Sequence, residues 1–87
     1  MMVIFDGEVR QIGIEVISNT GQEFVIDAAE YSVEDSDGTE IENGLPAIDG
    51  HKITMLFTAS GTGVFFVIFK YHIGPEILKA KIDVEVR

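Results

Sequence analysis

Cysteine and tryptophan are absent from this 87-residue chain, and proline occurs only twice. Without cysteine there is no disulfide framework and no thiolate metal site. Basic residues are scarce: 6 Lys and Arg stand against 15 Asp and Glu, for a formal net charge of −9. Phosphate backbones repel such a surface, so direct nucleic-acid binding is not expected. No run of Lys or Arg offers itself to anionic lipid. The strongest apolar stretch, residues 64–69, falls far short of the roughly 20 residues that span a bilayer, so no membrane partner is expected. The first six residues, Met1-Met2-Val3-Ile4-Phe5-Asp6, lack the basic start of a signal peptide. The expected location is therefore the cytoplasm or a virion.

What remains is a domain with 46% hydrophobic residues, enough for one core. Residues 1–87 read as a single domain near the lower end of what folds alone. With nothing to staple it, such a chain has little stability to spare. The apolar pattern has period two nearly throughout, and no window reads as an amphipathic helix. Strands are expected at about 9–17, 22–27, 29–35, 39–42, 51–58, 64–73 and 76–86, with weaker patterns at 2–5 and 45–48. Inward sets are Ile12, Ile14 and Val16, then Phe24 and Ile26, then Ala29, Tyr31 and Val33. Parity switches between Ile26 and Ala29, which requires a bulge or a sheet-switching bend near Asp27-Ala28. Turns are expected at Ser18-Asn19-Thr20-Gly21, at Asp35-Ser36-Asp37-Gly38 and at Asp49-Gly50, with Asn43-Gly44 as a type I′ hairpin pair. In the last third, Ile53, Met55 and Phe57 face inward, as do Phe65, Val67, Phe69, Tyr71 and Ile73. Leu78, Ala80, Ile82, Val84 and Val86 do the same on the final strand. Lys79, Lys81, Asp83 and Glu85 face outward. Turns every eight to twelve residues or so, joining about seven or eight strands, point to an all-β sandwich or barrel.

Ile48-Asp49-Gly50-His51-Lys52-Ile53, a glycine-bounded loop, the alternating strand 65–73, Gly74-Pro75 and the strand 78–86 together form a recognisable pattern. It resembles small immunoglobulin-like β-sandwich proteins of bacteria and their phages, over roughly residues 9–87. The cysteine pair and buried tryptophan of antibody domains are missing. The resemblance implies an immunoglobulin-like antiparallel sandwich used for adhesion or assembly, such as a phage or prophage structural protein. It carries no catalytic residues to transfer.

The residues that could bear chemistry have ordinary readings. Asp35, Asp37, Glu40 and Glu42 hold oxygens a calcium ion would use, but they lack the length and distal glutamate of an EF-hand loop. Asp-Gly at a hairpin is turn chemistry. His51 and His72 are the only histidines, too few for a zinc site without other ligands, and both are expected at the surface. Ser60 beside Gly61 and Gly63 is neither a nucleophile elbow nor a phosphate loop, since neither the flanking pattern nor a helix is present. No catalytic residue, metal or cofactor is expected.

One strand breaks the rule for a solvated face. If the odd residues of 64–73 point to the core, Val64, Phe66 and Ile68 point out, where polar residues belong. With Ile77 they form a candidate interface for a protein partner or for self-association. The competing expectation is that the chain's own segment, residues 1–5, or a long loop covers them. The function expected from these features is a non-catalytic interaction or assembly module. The alternative is a ligand- or carbohydrate-binding module of a bacterial surface protein. Six Phe, two Tyr and no Trp, mostly alternating inward, leave few platforms for sugar stacking.

Overall fold

The computed structural model describes residues 1–18, 21 and 23–87, and these described residues form eight strands and no helix. Among the described residues no helix is therefore long and apolar enough to cross a membrane. The strands are β1 (Met2–Ile4), β2 (Val9–Glu15), β3 (Ala28–Glu34), β4 (Glu40–Gly44), β5 (Ala47–Asp49), β6 (Lys52–Thr58), β7 (Gly63–Ile73) and β8 (Glu76–Val86). They build a five-stranded sheet in the order β1-β8-β7-β3-β4 and a three-stranded sheet in the order β2-β6-β5.

Alternation explains the core. Ile12 from β2 and Ile53, Met55 and Phe57 from β6 meet Val33, Val67, Phe69, Val84 and Val86 from the larger sheet. β2, β3, β6, β7 and β8 present alternate residues to this layer, and among the described residues no buried polar or charged residue interrupts it. The inward sets expected on β6, β7 and β8 are all buried or partly buried.

Pairing is antiparallel except between β1 and β8, which run parallel with Ile4 opposite Val86. The two strands leave the sandwich at the same end. There Arg87 N–H donates to Ile4 O and Asp6 N–H to Arg87 O, both at 2.9 Å. The chain then turns through Asp6-Gly7, where φ is +90° at Gly7, and enters the opposite sheet as β2.

Two expectations need correction. Residues 23–27 are not a strand; Gln22, Asn19 and Thr20 lie outside the described residues, and with them much of the strand's start and the preceding turn. Phe24 and Ile26 do face the core, but their segment carries the chain from the small sheet to the large one. Its backbone polar groups find single partners instead of a ladder. Asp27 N–H donates to His72 O at 2.9 Å, and Phe24 O lies 3.0 Å from His51 Nε2. The parity change lies where this crossing enters β3.

Asn43-Gly44 is likewise no hairpin turn. Both residues lie inside β4, opposite Ser32 and Tyr31. Pro46, which has no N–H to give a ladder, follows at once, and the expected strand at 45–48 begins only at Ala47, in the other sheet. Gly44 is needed for space: an added Cβ would lie 2.8 Å from the Tyr31 hydroxyl and 3.0 Å from its ring. The turn after β3 forms as expected. Asp35 Oδ1 accepts the N–H groups of Asp37 and Thr39, and Gly38 takes φ +84°.

Candidate docking face

The outer face of the five-stranded sheet follows from the register of its three central strands. Reading β3, β7 and β8 across, one rung holds Glu34, Phe66 and Asp83, and the next Ser32, Ile68 and Lys81. Then come Glu30, Lys70 and Lys79, and finally Ala28, His72 and Ile77. Val64 lies at the other end, opposite Glu85. Val64, Phe66 and Ile68 therefore form an unbroken apolar stripe along a central strand. Ile77, 59% exposed, is separated from them by the Lys70–Lys79 rung and lies at the rim.

The chain's own start does not cover the stripe. β1 pairs with β8 at the sheet edge, one strand removed from β7. The three side chains are half-buried by their charged neighbours instead. Lys81 Nζ sits 4.1 Å from the centroid of the Phe66 ring, a cation–π contact worth about 0.5–1 kcal/mol at such a site. Lys70 pairs with Glu30 at 3.4 Å, and Arg87 with Glu85 at 3.1 Å. Among the described residues, Lys79, Lys81, Glu34 and Asp83 make no ion pair.

Beside the stripe the face is hollowed. A shallow cavity of about 550 Å³ is lined by Glu30, Ser32, Ile68, Lys70, Lys79 and Asn43, among others, with Leu45 at its rim. Tyr31 bounds it, and its hydroxyl donates to Glu42 Oε2 at 3.1 Å. Burial first, then this bond and the charge of Glu42, hold the phenol above its ordinary value of about 10. The unfolded chain thus loses that proton first as pH rises. The stability tied to it is present below about pH 10 and is lost as pH climbs through the folded value. Thermal midpoints taken between about pH 8 and pH 11 are expected to fall less steeply for Tyr31→Phe than for the parent. Equal slopes would remove Tyr31 from the alkaline transition.

No family model, no curated protein and no solved structure matches this chain. The face must therefore be interpreted from its own chemistry.

The other sequence candidates end in structural contacts. The Asp35 carboxylate is occupied by two backbone N–H groups of its own turn. Among the described residues no three His, Asp or Glu side chains converge to hold a metal. Gly61 N–H, in the loop beside Ser60, donates to Asp6 Oδ1 at 2.9 Å. His51 is stacked on Phe24 with ring centroids 3.9 Å apart, a clasp on the 23–27 crossing. His72 points outward at the end of β7, opposite Ile77.

A second apolar surface escaped notice in the sequence. Val9, Leu56 and Leu45 are 56%, 66% and 84% exposed. Leu45 and Leu56, with Gln11, Ala47, Thr54 and Tyr31 of the large sheet, line a hollow of about 440 Å³. The signal was there: with Met55 and Phe57 inward, Leu56 has to point out.

Proposed function

We propose that this chain is a non-catalytic interaction or assembly module, built as an immunoglobulin-like sandwich, that docks a protein on the outer face of its five-stranded sheet. Support for the fold assignment is the strand order. Lettered A to G with C′ between C and D, β1 to β8 give A-G-F-C-C′ against B-E-D. That is the grouping of an immunoglobulin-like sandwich whose first strand joins the G edge. The observation that carries the function is the stripe Val64-Phe66-Ile68 on a central strand, where a monomeric sandwich places polar residues. A role as a structural protein of a phage or prophage belongs to the same proposal, and capsid, head–tail or tail genes as genomic neighbours are the expected finding.

A photo-reactive phenylalanine analogue at position 66, introduced in cells that make the protein, tests the docking face. Discrete protein adducts are expected from position 66 and not from a control position, Thr58, on the outer face of the small sheet. No adducts from 66, or the same adducts from both positions, would defeat the reading.

A further inference from the structure

We infer that the partner on this face is a second copy of the chain, packed across a two-fold axis that lies in the interface and crosses the strands between the Phe66 and Ile68 rungs. The inference rests on the docking reading above and adds the identity of the occupant.

Three observations lead to it. The first is the distribution of charge. Three of the chain's lysines, Lys70, Lys79 and Lys81, lie on the half of the face from the Ile68 rung onward, where the one carboxylate, Glu30, is held by Lys70 at 3.4 Å. Glu34, Asp83 and Glu85 lie on the half around Phe66 and Val64. A two-fold axis along β7 would lay Asp83 on the partner's Glu34, like charge on like, face Lys81 with the partner's Ser32, and match only Lys79 with a Glu30 that Lys70 already holds. An axis across the strands reverses the partner's sheet and sets each half over its opposite. Asp83 then faces the partner's Lys81, and Glu85 faces the partner's Lys79, each twice by symmetry. Glu85 is already held by Arg87, so the Asp83–Lys81 pairs dominate.

The second observation is shape. In the same arrangement Phe66 lies over the partner's Ile68, whose side chain borders the 550 Å³ hollow with Ser32, Glu30 and Lys70. An apolar ring under Lys81 and a hollow one rung away on the same face give that face complementary halves. The Lys81 ammonium that rests on Phe66 in the single chain is within the same rung spacing of the partner's Asp83.

The third is area. Five rungs about 6.6 Å apart and four strands about 4.8 Å apart tile roughly 600 Å² in plan. That is at the small end of specific interfaces, which suits a weak, reversible dimer.

Sedimentation equilibrium of the purified chain from about 10 µM to about 1 mM is the experiment. The parent is expected to pass from monomer to dimer in this range, more weakly at high salt. Asp83→Lys alone and Lys81→Asp alone are each expected to weaken the dimer by at least about tenfold, because each brings like charges together twice. An equimolar mixture of the two variants is expected to recover a heterodimer within about threefold of the parent. If either variant fails to fold by circular dichroism, Glu85→Lys and Lys79→Glu form the second complementary pair. A parent that stays monomeric at 1 mM overturns the inference, as does a dimer indifferent to Phe66→Ser, or a mixture no tighter than its components. If position 66 still gives discrete adducts to a different protein, the docking face stands and only the second copy is lost.

Discussion

Phe69→Ala is expected to destabilise the fold by about 3–5 kcal/mol, the largest loss of any single truncation here. Phe69 is fully buried on β7, between Tyr31 of β3 and Ala80 of β8, and is the bulkiest of the completely enclosed side chains. Removing its ring loses the transfer free energy of the ring and leaves a cavity between two sheets that cannot close freely. A domain of this size holds about 5–10 kcal/mol in all, so the variant should unfold at far lower urea, with an unchanged m value. Phe66, three residues away and of opposite parity, gives the contrast. Phe66→Ser is expected to cost only about 1 kcal/mol, since it loses partial burial and one cation–π contact. Equal costs at both positions would mean that Phe66 belongs to the core and would remove the reason to treat its face as a docking surface.

Gly13→Ala is expected to destabilise by about 1–3 kcal/mol, against ordinary strand chemistry. Glycine in a strand interior normally weakens it, and alanine should return roughly 0.5–1 kcal/mol. Here an added Cβ would lie 2.7 Å from Ile53 O and 2.7 Å from Thr54 Cγ2 on β6. Gly13 is not among the positive-φ glycines, so the penalty is steric and not conformational. Thr54→Ala in the same chain is expected to relieve only part of it, because the carbonyl belongs to the backbone. Denaturant midpoints of the two single variants and the double variant check this. A Gly13→Ala chain more stable than the parent would contradict the close approach of β2 and β6.

Period-two alternation carried most of the architecture. It placed β2, β3, β6, β7 and β8 to within a residue or two, because one buried and one solvated face leave a mark that no other backbone leaves. It also exposed the stripe Val64-Phe66-Ile68, since parity alone decides which side a strand residue takes. It failed where the chain leaves a sheet. Residues 23–27 alternate like a strand yet cross between layers, with Asp27 bonded through its N–H to His72 O and through its carboxylate to Gly74 N–H, and Phe24 O against His51. Asn43-Gly44 carries the composition of a hairpin turn, but the Tyr31 ring claims the space above Gly44 and Pro46 sends the chain to the other sheet. Local composition is the same in both outcomes; which one occurs depends on a neighbour many residues away.

The division follows from the range of the forces. An all-β chain with one core, its inward residues and an unsolvated strand face are properties of side-chain order along the chain, and the sequence alone determined them. Which strands lie side by side was decided only in three dimensions, by the closing of two sheets over one apolar layer. That closure brought Lys81 onto Phe66 and laid Glu34 and Asp83 on either side of it. Spacing within β7 and within β8 makes each match, and the register between the two strands puts the Phe66–Ile68 and Asp83–Lys81 pairs about one axis.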